Sequence, residues 1–418
     1  MHRNITKSKR LQQVRYDIKG KITTEAERME DAGIPIIKLN TGNPAQFGFE
    51  TPASVVNSLE RQLPLSAAYS QSRGLWEARE AIVAYSRSKG IPDVRLDRVY
   101  TGNGVSEMIL MSMQALLNPG DEILVPMPDY PLWTAAVRLS DGKAVHYRCD
   151  EASAWFPDVA DIRAKVTART RGIVIINPNN PTGALYPDTL LRDIVQIAEE
   201  HGLMLFSDEI YDRLVMDGLS HTSTAALAGD VPVITYNGLS KSHQICGYRC
   251  GWMTVSGGGE GLREYLEGLD VLSSMRLCSN VLSQSVIKAA LSDSAGTDRY
   301  IQPGGRLYEQ RQCAWEGLNR IPGVSVLKSR AGLYMFPRLD LTRHAIYDDE
   351  QFVLDFLREK HVLLTHGTAY QWEQPDHFRI VYLPEVNQLR DVVERLGDFL
   401  ETYSQSPKIY RQKIQKTT

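Results

Sequence analysis

The chain has 418 residues, of which 43% are hydrophobic and 23% charged, and its formal net charge is −3. That length exceeds what one small core needs and points to two or three domains, or one large α/β domain with an attachment. The near-neutral balance excludes a global field that would draw the protein to nucleic acid or to an anionic membrane surface.

The N-terminal stretch Met1–Lys21 is basic and polar. It lacks the apolar run of a signal peptide, and no later segment reaches membrane-spanning length. The five cysteines (Cys149, Cys246, Cys250, Cys278 and Cys313) are odd in number and scattered. They fit reduced thiols in the cytoplasm better than a disulfide framework. Cys246 and Cys250 are four apart, but no second Cys/His pair completes a zinc set, so no metal is expected.

In chain order, the first candidate ligand element is Thr101–Glu107 (TGNGVSE), which runs into an apolar helical pattern over Met108–Leu117. Glycines and a hydroxyl at a helix start offer free N–H groups and a favourable dipole end to an anion. A helix capped for its own sake explains the same residues. Glu122–Val125 reads as a strand closed by Pro126 and Pro128, and Tyr130 follows. That ring is either a stacking face for a planar ligand or a packed loop aromatic.

Gly172–Ile176 leads into Asn177–Gly183 (NPNNPTG), turn chemistry that makes a rigid loop over a sheet edge. A helical pattern over Leu190–His201 separates it from Leu203–Phe206, which ends at Ser207-Asp208. Val233–Tyr236 ends at Asn237-Gly238 and opens a segment rich in glycine and small residues, Gly238–Gly251 (GLSKSHQICGYRCG). Short apolar runs closed by polar residues, with helices between them, are the pattern of buried parallel strands in βαβ units. Their carboxyl ends are where open α/β sheets bind ligands. Ser256–Gly261 (SGGGEG) reads as a surface loop, with no strand expected to feed it.

The last hundred residues change character. Helices are expected over Arg306–Leu318 and Gln351–Glu359, with alternating segments at Leu333–Pro337 and Phe378–Tyr382. The expected organisation is an arm and part of a small domain over 1–50, a large domain over 51–290 and a small α+β domain over 291–403. A basic, flexible tail is expected over 404–418.

Four residues carry candidate chemistry. A buried Asp208 needs a cationic partner, and a protonated pyridine nitrogen would supply one, although capping a helix is the commoner use of such an aspartate. Tyr211, one helical turn on, either faces the same cleft or belongs to a core. Lys241 alone reads as a surface charge. Beside Arg249 and small neighbours it reads as a lysine of lowered pKa, a usable nucleophile. Arg379 sits on an apolar strand, where its fork suits an α-carboxylate or, equally, a structural salt bridge.

The ordered set of Gly42 in LNTGNP, Tyr69 with Gly74, Ser106, Tyr130, Asn180, Asp208, Tyr211, Ser240-Lys241, Arg249 and Arg379 resembles the fold type I aminotransferases, the aspartate and alanine aminotransferase family. The likeness spans about Leu11 to Tyr403. The segments 128–135 (PDYPLWTA), 171–183 (RGIVIINPNNPTG) and 303–310 (PGGRLYEQ) are similar to the bacterial glutamate–pyruvate (alanine) aminotransferases.

The resemblance implies a fold type I PLP-transferase, with a mainly parallel sheet in a large domain and a smaller α+β domain. It implies pyridoxal 5'-phosphate as cofactor, with Lys241 holding it covalently and acting as general acid and base. Asp208 would keep the pyridine nitrogen protonated, Tyr211 and Asn180 would bond the ring oxygen, and Tyr130 would stack on the ring. Val105, Ser106, Ser240 and Arg249 would hold the phosphate. Arg379, Asn180 and the backbone of Gly42 would clamp the substrate carboxylate. Tyr69 would reach the neighbouring subunit's phosphate, so a homodimer with shared sites is expected.

The substrates implied are an L-amino acid and a 2-oxo acid, foremost alanine/pyruvate with glutamate/2-oxoglutarate. A bulkier or cationic amino acid, or carbon–sulfur lysis on the same scaffold, stays open. A non-catalytic regulator is disfavoured because the lysine and the aspartate are both present, and the short N-terminal stretch is too small for a DNA-binding domain. Four departures surround the site: Lys19 where arginine is expected, Ser242-His243-Gln244, Arg330-Ala331-Gly332, and Gly238 where many relatives carry a hydroxyl. His243 and His366 are either loop residues or contacts to a substrate side chain.

Overall fold

The computed structural model describes residues 4–12, 14, 20–293 and 295–405; Lys19 and the basic tail from 406 onward lie outside the described residues. An eight-stranded sheet organises the larger part of the chain. Its strands are β1 (Val99–Asn103), β2 (Glu122–Met127), β3 (Lys143–Asp150), β4 (Phe156–Pro157), β5 (Thr170–Ile176), β6 (Met204–Asp208), β7 (Val233–Gly238) and β8 (Cys250–Ser256). Their spatial order is β1-β8-β7-β6-β5-β2-β3-β4. Strands β3, β2, β5, β6 and β7 are mutually parallel. Strand β8 runs antiparallel to β7 and β1, and edge strand β4 antiparallel to β3.

The apolar runs become strands because helices cover both faces of the sheet, so no alternation with polar residues is required. Strands β2, β6 and β7 are buried at every position. The helix Asp188–His201 turns Leu191, Ile194, Ile197 and Ala198 inward and ends at Gly202, whose φ of 62° is the left-handed conformation that closes a helix.

The four strands expected from sequence are all present, each a residue or two longer. Strand β8 was not expected. It is buried at every position and feeds Ser256–Gly261 directly, contrary to the expectation that no strand precedes that segment. The chain leaves β8 through Gly257, Gly258 and Gly259, all at positive φ, into a 3-10 turn over Gly259–Leu262. No helix follows β6, so Asp208 caps none. Tight turns, with Asp212 N–H bonded to Glu209 O at 3.0 Å and Leu214 N–H to Tyr211 O at 2.8 Å, bring Tyr211 round instead.

A second core joins the two ends of the chain. Ile22, Ala26, Met29, Leu39 and Phe49 pack with Leu307, Phe352, Phe356, Phe378 and Leu396. Ile37–Lys38 pairs in parallel with Val362–Leu363, and Tyr334–Met335 and Thr365–His366 flank Phe378–Val381. Gln405 is buried, and its Oε1 accepts from the N–H groups of Tyr347 and Asp348 at 2.7 and 2.9 Å, so the packed chain runs past the expected tail boundary at 404. No described helix is long and apolar enough to cross a membrane.

Candidate active site

The carboxyl ends of β5, β6 and β7 open onto a cleft of about 620 Å³, roofed by residues of the second core. Its lining contains Gly42, Val105, Ser106, Tyr130, Asn180, Asp208, Tyr211, Ser240, Lys241, Arg249 and Arg379. Tyr69 lies elsewhere, 78% exposed.

Lys241 sits in the one-turn helix Leu239–Ser242 after β7, and its Nζ donates to the carbonyl of Gly42 at 2.5 Å. Asp208, at the end of β6, is buried. Trp133 Nε1 donates to its Oδ2 and Ile210 N–H to its Oδ1, both at 3.3 Å. Burial pushes this carboxyl up to about 6, and those two hydrogen bonds offset only part of the rise. Trp133 is itself fixed edge-on against Tyr236, ring centroids 5.3 Å apart.

The Asn177–Gly183 loop is braced from within. Asn179 Oδ1 accepts from Thr182 N–H at 3.2 Å and from Thr182 Oγ1 at 2.8 Å, while Asn177 Oδ1 accepts from Tyr186 N–H at 2.9 Å. This bracing presents Asn180, whose Oδ1 accepts from Arg379 Nη1 at 3.0 Å. Arg379 Nη2 donates to the carbonyl of Asn40. The guanidinium lies 4.3 Å from the Tyr334 ring centroid and 5.0 Å from that of Tyr370.

Among the described residues no carboxylate pairs with Arg379, although it is buried, and its Nε has no partner. The structural salt bridge that the sequence left open is therefore absent among the described residues. A buried, unpaired cation calls for an anion.

Tyr211 donates to the Tyr334 hydroxyl at 3.1 Å. Burial opposes ionisation of Tyr334, but the charges of Lys241 and Arg379, with the hydrogen bond from Tyr211, outweigh it and hold its pKa below the ordinary phenol value. At the other end of the cleft, Gly104 (φ 82°) turns β1 into the helix Val105–Leu116. The Arg249 guanidinium packs so closely on Gly104 that a side chain there would collide with it, and a Cβ at Gly251 would sit 2.5 Å from Val105 N. A free helix N-terminus, Ser106 and an arginine thus converge on one spot, a ready anion site.

Not every sequence expectation meets the cleft. His243 is buried between Ser242 Oγ and the Ala290 carbonyl, 2.8 Å from each, and burial pulls its pKa down to about 4. His366 bonds Thr368 Oγ1 at 2.9 Å. Neither is among the residues that line the cleft. Gly238 has no room for a hydroxyl-bearing side chain, because a Cβ would sit 2.6 Å from the Cys250 carbonyl oxygen. Trp133, Tyr334, Tyr370 and Asn40 are site neighbours that the sequence did not single out. Trp133 lay within PDYPLWTA and Tyr334 within Leu333–Pro337, but nothing in the sequence separates them from ordinary core aromatics.

Residues 34–396 match the family model described as aminotransferase class I and II. The glutamate–pyruvate aminotransferase AlaA of Escherichia coli (strain K12) is 54% identical over 401 residues, covering 96% of this chain and 99% of that protein. An alanine aminotransferase of Mycobacterium tuberculosis (strain H37Rv) is 47% identical over 404 residues, covering 96% and 94%. Among solved structures, an aminotransferase from Escherichia coli superposes with a TM-score of 0.95 at 53% identity, covering 97% of this chain and 100% of that one. An alanine aminotransferase from Pyrococcus furiosus gives 0.90 at 38% identity, covering 95% and 100%.

Proposed function

The chain belongs to the class I and II aminotransferase family, and on that premise we propose that it moves an amino group between L-alanine and 2-oxoglutarate, yielding pyruvate and L-glutamate, with pyridoxal 5'-phosphate held at Lys241. The observation that carries this reading is the convergence of Lys241, Asp208 and Arg379, from distant parts of the chain, on one cleft. The substrate pair follows the glutamate–pyruvate aminotransferases that are 54% and 53% identical to this chain over nearly their whole length.

The residues present fit the cofactor. Asp208 is a buried carboxylate without a cationic partner among the described residues, which suits a pyridinium N–H. The helix N-terminus at Val105–Ser106, with Ser240 and Arg249, suits a phosphate. When bound, pyridoxal 5'-phosphate supplies a carbon that takes up the amino group and a ring that accepts electrons from the substrate's α-carbon.

The chain's own residues do the rest. Arg379 and Asn180 grip the α-carboxylate through paired hydrogen bonds, fixing which bond at the α-carbon points toward Lys241. The Lys241 amine takes the α-proton and returns it one position along, a positioned acid–base transfer that contributes roughly 10² to 10⁴-fold in rate. With the cofactor bound, Asp208 would keep a proton on the pyridine nitrogen, Tyr211 and Asn180 would bond the ring oxygen, with the Tyr211 hydroxyl turning from Tyr334 to do so, and Tyr130 would cover the ring's face.

We further read the chain as a homodimer in which Tyr69 completes the partner's phosphate site. In support, Tyr69, Leu63, Leu65 and Trp76 are exposed, as are Val271, Met275 and Leu277. The Arg73–Asp270 ion pair and the Arg276–Ser72 contact join those two segments into one apolar face. We also divide the chain into a large domain over 51–290 and a small one built from 1–50 and 291–403, in keeping with the core that joins Ile22, Leu39 and Phe49 to Leu307, Phe352 and Leu396. We place the reaction in the cytoplasm, in keeping with five free cysteines.

A donor–acceptor matrix with purified holoenzyme, read as 2-oxo acid formed, tests the reading. Alanine with 2-oxoglutarate is expected to lead. Release of ammonia and pyruvate without consumption of an acceptor would instead identify a lyase.

A further inference from the structure

Transamination between alanine and glutamate sets one cleft a problem: it must take a methyl side chain and a side chain ending in a carboxylate. A distal carboxylate needs a cation. Among the described residues lining the cleft, the cations are Lys38, Lys241, Arg249 and Arg379. Three are committed by the reading above: Lys241 to the chemistry, Arg249 to the phosphate, Arg379 to the α-carboxylate. Lys38 is left.

Its place in the fold suits the task. The segment 38–42 runs along the cleft wall with Leu39 turned into the core. The carbonyl of Gly42 accepts from Lys241, and the carbonyl of Asn40 accepts from Arg379. Lys38 comes two residues further toward the mouth, on the strand that pairs with Val362–Leu363. Two residues of extended chain span roughly 6.6 Å. That step separates the Lys38 backbone from Asn40, whose carbonyl accepts from Arg379, so Lys38 and Arg379 both stand along this wall of the cleft.

Lys38 is not idle meanwhile. Its Nζ lies 2.8 Å from Glu30 Oε1, and the two side chains are 43% and 39% exposed. A pair so open to water contributes little to stability and is cheap to exchange. Glu27, one helical turn before Glu30, lines the same cleft, so Lys38, Glu27 and Glu30 together carry no surplus positive charge.

We propose that Lys38 is the specificity-determining residue for the dicarboxylate substrate, with Glu30 its exchangeable partner. With alanine or pyruvate bound, Lys38 stays paired with Glu30 and the methyl group meets no bare cation. With glutamate or 2-oxoglutarate bound, the distal carboxylate takes the place of Glu30. The inference rests on the transamination reading above.

The test is holoenzyme carrying Lys38→Met, Glu30→Gln or Lys19→Ala, assayed with glutamate and with alanine and titrated with glutarate, a five-carbon dicarboxylate without an amino group. Lys38→Met keeps most of the apolar stem. It should lower the ratio of kcat/KM for glutamate over that for alanine by about tenfold or more, mainly through KM, the scale of one charge-assisted hydrogen bond. Glutarate affinity should fall by a similar factor. Glu30→Gln should move both quantities the other way, which a purely structural role for the pair would not do.

A ratio that shifts less than twofold in Lys38→Met overturns the proposal. So does a loss of glutamate preference in Lys19→Ala with none in Lys38→Met, or a wild-type preference for cationic amino acids, which would assign Glu27 and Glu30 instead. Wild-type enzyme that ignores glutamate altogether sinks the parent reading too, and is told apart by that first measurement.

Discussion

Trp133 donates its indole N–H to Asp208 at 3.3 Å and is the only side-chain donor the described residues offer that buried carboxylate. A carboxylate so placed keeps its proton to unusually high pH unless a cation arrives. In the function proposed above, the pair is the socket for a positively charged ring nitrogen, with the indole fixing the socket's orientation.

A pH signature follows for the protein without cofactor. The Asp208 carboxyl is raised from 3.8 to about 6, so the folded state binds this proton more tightly than the unfolded state. Its contribution to stability is present at low pH and lost as pH rises from about 4 to about 6, a swing on the order of 3 kcal/mol. Urea unfolding of apo wild type and apo Asp208→Asn across that window should show the slope in the first and not in the second. Equal slopes would defeat the assignment.

Lys241→Ala should abolish transamination while leaving the far-ultraviolet circular dichroism unchanged, since among the described residues the Lys241 side chain makes a single hydrogen bond, to a backbone carbonyl. Borohydride reduction of wild-type holoenzyme should label Lys241, found by peptide mapping. Retention of most turnover in the variant would rule the lysine out.

Arg379→Lys keeps the charge and loses the fork. The guanidinium engages Asn180, the Asn40 carbonyl and the Tyr334 ring at once. A lysine cannot reproduce that geometry, so kcat/KM for every amino acid should fall roughly 10- to 100-fold. A variant within twofold of wild type would place the α-carboxylate elsewhere.

His377 should make stability pH-dependent at the alkaline side. Its ring stacks on Phe336 at 4.8 Å and lies 2.7 Å from Asp376 and 3.6 Å from Glu151. Burial lowers its pKa, but the two carboxylates outweigh burial and raise it above 6.5. The stabilisation is fully present below pH 6.5 and lost as pH rises through the folded value. The gap in Tm between wild type and His377→Gln should therefore shrink from pH 6 to pH 9, and a widening gap would reverse the sign.

Gly238→Ser, which supplies the hydroxyl that the family resemblance leads one to expect, should destabilise this protein by about 1–3 kcal/mol through overpacking. The new Cβ would meet the Cys250 carbonyl at 2.6 Å and Gly251 Cα at 3.1 Å. Chemical denaturation measures it, and an unchanged midpoint would mean that β8 yields easily.

The sequence was most legible where burial on both faces wrote continuous apolar runs, as in β2, β5, β6 and β7. Beyond the ends of those runs lie Tyr130, Asn180, Asp208 and Lys241, which line the cleft. Strand β1 stayed hidden in TGN, whose glycine and asparagine read as turn chemistry. Strand β8 stayed hidden because its first residues close a segment read as rich in glycine and small residues, whereas Gly251 makes room for the turn at Gly104 and Val105. Lys241 and Asp208 stood out by position after a strand. Trp133 and Tyr334 did not, since a core aromatic and one that touches a functional carboxylate look alike until packing distinguishes them. Histidine 243 misled for the converse reason: sequence proximity to Lys241 says nothing of which side of the turn a ring occupies.

The pairing of Ile37–Lys38 with Val362–Leu363 has a bearing on how the enzyme comes into being. The wall that carries Asn40 and Gly42 is made early in synthesis, yet its partner strand emerges more than three hundred residues later. Closing so long a loop before any contact rewards it is slow. The central sheet can assemble on the ribosome, but the substrate pocket cannot, so a nascent chain is inert until nearly all of it is out.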